Sequence, residues 1–496
     1  MSAKQTNEIQ YSRLLGAIIL AALLYRWLIV LNSPLGLHGD EAQYWAWSQE
    51  LDWGYFSKPP LIAWIIAIPT SLFGSEEWAI RLPSAFLHSL TTYVIYLTAS
   101  QAFNIRTGFW AACTYLAMPA VWLSSTIIST DVPLLLCWAL ALNAWVALRN
   151  IPSWSRTAQL GLAIGFGLLA KYAMFFFIPI LLAGIIFDPP TRRALLNKRG
   201  LFVTLIGVLI FFPNVIWNLN NDFATVSHTA ENANLSSQFF NPDELFSFWV
   251  DQLGVFGLLS FPLLIIALFN FRSLKGFEKW LCVLAALPLL IISIEALLSR
   301  ANANWAVTAY VAAPILVAFF ALSRSKFLPF LKWGLIGQSV IMISLGLITL
   351  SPALTDILGL SNSVKRLRAW PETVAQIETI YKKGHEGQDF EAIAVDNRLV
   401  FYDALFYGLA DKAPLSMWSL SNSPGNHAEM TAPLVATSGP ILLINHYEDY
   451  KPFFQQDFSI LIELEPLSIE LGGAKRRELK VWVGYNYNPI EKARSL

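Results

Sequence analysis

Two short stretches near the start of the chain carry side chains that could do chemistry. The first holds two adjacent carboxylates, Asp40 and Glu41, and the second is Lys58-Pro59-Pro60. A carboxylate can accept a proton from an attacking hydroxyl group, and a lysine can stabilise negative charge on a phosphate. Proline fixes its own φ and pushes the preceding residue to extended backbone, so the lysine stands on a stiffened turn. These residue types indicate group transfer from a phosphorylated donor. A solvated acid pair at a helix N-terminus and a plain interfacial turn are the alternatives.

The elements that must position these loops are membrane helices. The chain of 496 residues is 55% hydrophobic and 14% charged, whereas soluble proteins carry about 25% charged residues. A helix needs ~20 apolar residues to cross a bilayer, and runs of about that length predict about eleven transmembrane helices: 14–31, 82–103, 108–127, 132–148, 158–170, 172–187, 201–217, 247–270, 280–298, 305–322 and 330–350. The shorter run 61–73 predicts a helix lying in the membrane interface.

The distribution of lysine and arginine predicts the orientation. With the N-terminus inside, one set of connections carries fifteen cations, which places that set in the cytoplasm. The opposite side keeps four: Lys58, Arg81, Lys171 and Arg300. Each of them could reach lipid headgroups, but together they predict a positive site for the phosphate of a lipid-linked donor. An odd number of spans places everything after about residue 351 outside.

The segment 351–496 has a different composition and predicts a periplasmic α/β domain. It has an amphipathic helical stretch, Ser363–Lys383, interrupted at Trp370-Pro371. Strand-like runs with a Gly472-Gly473 hairpin turn follow, at Ala392–Val395, Ile441–Ile444, Ser459–Leu464 and Leu479–Tyr485. The predicted organisation is therefore a transmembrane domain over 1–350, with catalytic outer loops 32–81 and 218–245, and a C-terminal domain over 351–496.

Further candidates lie in segments predicted to face the same side. Asp131 opens the fourth span and is a catalytic candidate, although a helix N-cap followed by Pro133 is the alternative. The candidates for substrate contact are single polar or aromatic residues beside these loops: Tyr55, Tyr172, His228, Asn304 and Trp305. His228 is a lone histidine, and an ordinary polar loop is the alternative.

The Asp-Glu pair followed by Lys-Pro-Pro resembles the first outer loop of the GT-C glycosyltransferases, in the branch of the protein O-mannosyltransferases and lipid A aminoarabinose transferases. The resemblance implies a polyprenyl-phosphate sugar donor, inversion at the anomeric carbon, and Asp40 as the base. It also implies an envelope acceptor such as lipid A or lipopolysaccharide core, in a bacterial inner membrane. Aminoarabinose transferases tend to have Glu where this chain has Ser57. No cofactor is certain, and a divalent metal stays an open alternative.

Other functions remain as alternatives from the sequence. They are a protein O-glycosyltransferase with the same donor, a lipid-linked sugar flippase or transporter, a polysaccharide polymerase or ligase, and a scaffold. Ionisable residues cluster at one membrane face rather than at mid-membrane, which favours an enzyme over a transporter. No phosphate-binding loop or dinucleotide motif is present, and no nucleic-acid partner is expected.

Overall fold

The computed structural model describes residues 3–232, 240–421, 423–446 and 450–489. Helices form the chain as far as Thr349, and a small mixed sheet with short helices follows. This confirms the predicted class, a polytopic helical membrane protein with a C-terminal α/β domain. The domain boundary near residue 350 stays a prediction.

In the described residues, seventeen α-helices lie between the N-terminus and Thr349: α1 (Ala3–Leu31), α2 (Gly39–Gln49), α3 (Leu61–Phe73), α4 (Glu77–Ala102), α5 (Ile105–Leu116), α6 (Pro119–Ser124), α7 (Asp131–Asn150), α8 (Trp154–Ala170), α9 (Phe177–Phe187), α10 (Pro189–Leu195), α11 (Lys198–Asn220), α12 (Ala224–Asn232), α13 (Pro242–Phe256), α14 (Ser260–Phe269), α15 (Phe277–Leu298), α16 (Ala309–Ser323) and α17 (Leu328–Thr349). Each predicted span lies mainly on one of these helices or on two consecutive ones, and the spans 172–187 and 305–322 begin in short 3-10 helices.

The number of spans is not settled by helix length and composition. In the described residues, five helices are long and apolar enough to cross a membrane, or seven if two sharply bent pairs each count as one. The α13–α14 pair bends by 115° at Gly257, whose φ of +112° only glycine readily adopts. The predicted run 108–127 is likewise divided where Pro119 begins α6. Eleven spans therefore stay a prediction.

Helix α7 forms the centre of the helical part. It packs against α4 and α8, and its Trp138 and Trp145 are fully buried, as expected of a helix that is apolar on all sides. Helix α8 approaches α11 through Gly161 and Gly165, where an added Cβ would lie 2.8 Å from side-chain atoms of α11. Small residues one turn apart allow such close packing of membrane helices.

The C-terminal domain is a six-stranded sheet with helices: α18 (Pro352–Ile357), α19 (Ser361–Val364), α20 (Trp370–Lys383), β1 (Ala392–Val395), α21 (Arg398–Phe406), β2 (Leu415–Met417), α22 (His427–Thr431), β3 (Ile441–Asn445), α23 (Lys451–Asp457), β4 (Phe458–Glu463), β5 (Leu467–Gly472) and β6 (Lys475–Tyr487). The order is β2-β1-β3-β6-β4, with β5 also paired to β6. β1 is parallel to β2 and β3, and the other pairs are antiparallel.

The strand predictions agree with the sheet apart from two omissions. All four predicted strands are present, but β2 and β5 were not predicted, and the hairpin at Gly472-Gly473 joins β5 to β6. The predicted helix break is also present, because Ala369 has a positive φ of 57° and α20 begins at Trp370.

The first loop and the C-terminal domain share one hydrophobic core. Leu37, Trp47 and Tyr55 belong to the same buried cluster as Val374 and Phe401, and α21 packs along α2. The helix that carries the predicted acids is thus held from both parts of the chain.

Candidate active site

Helix α2 begins at the predicted acids because His38 caps it. The side chain of His38 accepts a hydrogen bond from the backbone N–H of Asp40, and Glu41 accepts one from the backbone N–H of His38. This reciprocal arrangement is a capping box. It places both acids in the first helical turn, where the helix dipole favours negative charge.

Glu41 and Arg81 form a buried ion pair that holds the loop. Arg81 Nε donates to Glu41 Oε1 at 2.9 Å and Nη2 donates to Oε2 at 2.7 Å. The same guanidinium donates to the carbonyls of Leu35 and Gly36. Glu41 also accepts from the backbone N–H of Ile128, and both charged side chains are no more than 3% exposed.

This geometry contradicts the predicted roles of the two residues. Arg81 has its donors committed and is too buried to bind a lipid phosphate, and Glu41 has no free oxygen edge with which to act as a catalyst. The sequence could not distinguish them from Asp40 and Lys58, because the pairing joins residues forty positions apart.

We expect Glu41→Gln to destabilise the fold rather than remove a catalytic group. Breaking a buried pair leaves an uncompensated charge on Arg81, which costs about 3–5 kcal/mol. Thermal unfolding of detergent-solubilised protein would show the loss. The double variant Glu41→Gln/Arg81→Gln should lose less than the sum of the single variants, and additive losses would contradict a direct pair.

Asp40 is hydrogen-bonded to Arg398, a residue that the sequence analysis did not identify as a candidate. Arg398, the first residue of α21, donates through Nη1 to Asp40 Oδ1 at 2.9 Å and also to Gln43 Oε1. Burial alone would raise the pKa of Asp40, but Arg398, His38 and Lys58 together hold that pKa below its usual value. Asp40 is therefore a carboxylate at neutral pH, and its side chain is 42% exposed.

Asp131 forms a second charged group in the site. It accepts a hydrogen bond from Lys171 Nζ at 2.6 Å and one from Asn304 Nδ2 at 2.7 Å. It begins α7, as predicted, but its side chain does not cap the helix, since the N-cap residue is Thr130 and no side-chain cap bond is present there. The structure thus brings three of the predicted residues, Asp131, Lys171 and Asn304, into direct contact.

Lys58 differs from Arg81 and Lys171, two of the other predicted cations. Among the described residues no carboxylate lies within ion-pair distance of it, whereas Arg81 and Lys171 are each paired. Burial lowers the pKa of Lys58 to about 8, and the positive charge of Lys171 adds to this shift. A cation that is partly desolvated and lacks an anionic partner is suited to bind a phosphate.

The two ion pairs of the site, Asp40–Arg398 and Asp131–Lys171, influence the same side chains electrostatically. Lys58 interacts electrostatically with Lys171, Asp40 and Asp131, and the buried Tyr44 of α2 is influenced by Asp40 and Asp131 alike. Asp40, Lys58, Asp131 and Lys171, four of the residues predicted to share one membrane face, are therefore close enough to interact electrostatically.

The remaining predicted residues differ in burial and in their contacts. Tyr55 is 2% exposed, stacks on Trp47 at 4.6 Å between ring centroids and donates its hydroxyl to backbone carbonyls, which contradicts a role in substrate contact. The hydroxyl of Tyr172 donates to Asn214. Trp305 packs against the helical core, and Arg300 is exposed, with no ion pair among the described residues.

His228 lies beside the site on α12. Its ring is 5.7 Å from the ring of Phe56, and burial lowers its pKa to about 4, with Lys58 and Arg398 adding to the shift. His228 is therefore neutral at neutral pH. The remainder of its loop, residues 233–239, lies outside the described residues.

No cluster of three or more histidine, cysteine or acidic side chains suited to a metal occurs in the described parts of the chain. The paired acids of the site are each committed to a cation, at distances of 2.6–2.9 Å.

Gly39 lets the C-terminal domain approach α2. A Cβ at this position would lie 2.7 Å from Leu399 Cβ, next to Arg398. We expect Gly39→Ala to displace α21, to cost about 1–3 kcal/mol by overpacking, and to lower activity by moving Arg398. Thermal unfolding and turnover would measure both effects. Gly16→Ala is the matched control, because a Cβ there meets nothing within 4 Å, and equal behaviour of the two variants would contradict the close contact.

Sequence reasoning missed Arg398 and Gln43. Arg398 follows the N-cap Asn397 shortly after strand β1, a position where loops at strand ends often carry function. Nothing in the sequence connects that position to a loop 358 residues earlier.

Comparison with known proteins agrees with this architecture. Residues 57–217 match the sequence model of a family described as dolichyl-phosphate-mannose-protein mannosyltransferase. The lipid A galacturonosyltransferase RgtD of Rhizobium johnstonii is 36% identical over 321 residues, which are 64% of this chain and 65% of RgtD. An undecaprenyl phosphate-α-4-amino-4-deoxy-L-arabinose arabinosyl transferase of Pseudomonas fluorescens is 30% identical over 204 residues, 37% of this chain and 35% of that protein. The matched part is thus less than two thirds of either relative.

The fold is similar to that of ArnT from Cupriavidus metallidurans. The structure bound to undecaprenyl phosphate aligns with a TM-score of 0.66 at 16% identity, over 94% of this chain and 97% of ArnT. The similarity extends over both the helical membrane part and the C-terminal sheet domain. The family model and both of these relatives are named as glycosyltransferases, and the chain resembles them over part of its length.

Proposed function

We propose that this protein transfers a sugar from a polyprenyl-phosphate donor to lipid A or to lipopolysaccharide core. The relatives support both substrates: RgtD is a lipid A transferase, another relative is a core galacturonosyltransferase of the same organism, and the arabinosyl transferases are named for an undecaprenyl phosphate donor. We place the protein in a bacterial inner membrane, with the N-terminus in the cytoplasm and the site and C-terminal domain in the periplasm. The cation distribution supports this orientation.

The observation that carries the proposal is the juxtaposition of Asp40 and Lys58. The pKa of Asp40 is below its usual value, and Asp40 interacts electrostatically with Lys58, which has no ion-pair partner among the described residues. A glycosyl phosphate needs both groups, one for the attacking hydroxyl and one for the departing phosphate. Neither group would be required of a scaffold.

The chemistry is a single displacement at the anomeric carbon. The acceptor oxygen forms the new bond to this carbon while the bond from carbon to phosphate oxygen breaks, which inverts the configuration. Asp40 takes the hydroxyl proton. The electron pair of the broken bond stays on the phosphate, whose additional negative charge is stabilised by Lys58. Polyprenyl phosphate is the leaving product.

The second charged group has a supporting role in this scheme. Lys171 adds positive potential near the phosphate, and Asp131 with Asn304 fixes its ammonium group. Since Lys171 is paired within the protein, we expect it to contribute less than Lys58 to stabilising the leaving group.

The test is transfer by purified protein. A synthetic polyprenyl-phosphate sugar is incubated with lipid A or core oligosaccharide, and the glycosylated acceptor and free polyprenyl phosphate are measured by mass spectrometry. We expect equimolar formation of both products. Transfer to a serine or threonine peptide instead would reassign the acceptor to protein, and failure to release polyprenyl phosphate from any donor would refute the function.

A further inference from the structure

Arg398 uses only part of its guanidinium group within the protein. Nη1 donates to Asp40 and Gln43, whereas Nε and Nη2 have no hydrogen-bond acceptor among the residues that the structure describes. The side chain is 39% exposed. Nε and Nη2 form a pair of parallel donors, the arrangement that binds a carboxylate with two hydrogen bonds.

Two other arginines of this chain bind a carboxylate through Nε and Nη2, the same edge of the guanidinium group. Arg81 binds both oxygens of Glu41 through Nε and Nη2, and Arg149 binds Asp188 in the same way at 2.8 and 3.0 Å. In both pairs a carboxylate occupies the edge that Arg398 leaves without a protein partner in the described residues. Arg398 is therefore equipped for an anion supplied from outside the chain.

The acids of the site are not equipped for a cationic sugar. Asp40 is paired with Arg398, Asp131 with Lys171 and Glu41 with Arg81, each within 2.9 Å. Each of these acids is already paired with a cation of the protein, so none of the three offers an ammonium group on the sugar an unpaired carboxylate. The relatives include transferases of both kinds of sugar, a galacturonosyl group and an aminoarabinosyl group, so the distinction matters for this chain.

We propose that the Nε–Nη2 edge of Arg398 binds the carboxylate of the transferred sugar, and that the donor is a polyprenyl-phosphate-linked uronic acid. This inference rests on the proposed glycosyltransferase function. A hexuronic acid carries its phosphate on C1 and its carboxylate on C5, on either side of the ring oxygen, so two separate cations are needed. Lys58 binds the first anion and Arg398 the second, and both act electrostatically on Asp40, the proposed base.

The C-terminal domain then determines donor specificity. It presents Arg398 at the start of α21, which Asn397 caps through hydrogen bonds to the N–H groups of Leu399 and Val400. The close contact of Leu399 with Gly39 fixes the distance to α2. The helical part supplies the groups for transfer, and the sheet domain recognises the sugar.

The experiment compares two synthetic donors in full-length protein. One is a polyprenyl-phosphate galacturonic acid, and the other is the galactose analogue, in which a hydroxymethyl group replaces the carboxylate. We expect the wild type to prefer the uronic acid and Arg398→Gln to lose roughly 10- to 100-fold of that preference in kcat/KM, as for hydrogen bonds to a charged group. Arg398→Lys should recover part of it, because it keeps the charge without the paired donors.

The ratio between donors separates recognition from indirect effects. Arg398→Gln also removes a partner of Asp40, so both donors will lose turnover, but a purely positioning role would lower them equally and would overturn the proposal. Arg476→Gln, an exposed arginine of the β5–β6 hairpin, is the matched control and should keep the wild-type ratio.

Two further comparisons test whether the anion that Arg398 binds belongs to the donor sugar. If the loss in Arg398→Gln follows the phosphate groups of the acceptor instead of the donor carboxylate, when native and dephosphorylated lipid A are compared, the proposal is wrong. The same holds if the wild type prefers an aminoarabinose donor. Absence of transfer from every donor would instead refute the proposed function itself.

Discussion

Lys58→Gln is expected to lower kcat by about 10²–10³, the loss found when one donor to a developing oxyanion is removed. Lys58 has no ion-pair partner in the described residues, whereas the neighbouring Lys171 and Arg398 are each paired with an acid, so their charges replace that of Lys58 on the leaving phosphate only in part. Release of polyprenyl phosphate under saturating acceptor would measure the effect. Lys58→Arg should retain more activity, and Lys383→Gln, an exposed lysine at the end of α20, should behave as wild type.

The pH profile gives an independent check on Lys58. Because burial lowers its pKa to about 8, the free enzyme loses this positive charge as the pH rises through 8. We expect kcat/KM for the donor to fall above that pH. The bound phosphate favours the charged form, so the corresponding fall in kcat should occur at higher pH. In Lys58→Arg the alkaline fall in kcat/KM should disappear, and an unchanged profile would exclude Lys58 as its source.

Asp40→Asn is expected to lower kcat by about 10²–10⁴ with a hydroxyl acceptor, the usual contribution of a general base. A sugar hydroxyl has a pKa far above neutral and must lose a proton as it attacks. The amide oxygen can still accept from Arg398, so donor affinity should change little. Measuring kcat and the donor dissociation constant in one preparation would separate catalysis from binding.

The nature of the acceptor changes this expectation. A phosphate of lipid A is already an anion near neutral pH, so no proton has to be removed, and Asp40→Asn should then be tolerated far better than Lys58→Gln. Mass spectrometry of the product shows which oxygen was glycosylated. Severe, equal losses in both variants with a phosphate-linked product would contradict this account. Asp52→Asn serves as the control, because Asp52 lies in the same loop but accepts a hydrogen bond from Trp217 Nε1.

The sequence by itself determined the membrane class, the helical runs and most of the strands. These features depend on local hydrophobicity and turn residues, which act over ten to twenty positions. It also indicated that Asp40, Lys58, Asp131 and Lys171 would face one side, because charge distribution follows membrane topology. The resemblance to the GT-C glycosyltransferases rested on the short Asp-Glu and Lys-Pro-Pro motifs.

Only the tertiary structure decided which of those residues is free to act. Glu41 and Arg81 carry the same charges as Asp40 and Lys58, yet they neutralise each other in the interior, and Tyr55 is stacked in a core shared with the C-terminal domain. Arg398 entered the site through the packing of α21 on α2, across 358 positions of sequence. Burial and pairing between distant segments arise from packing, and local sequence patterns carry no record of them.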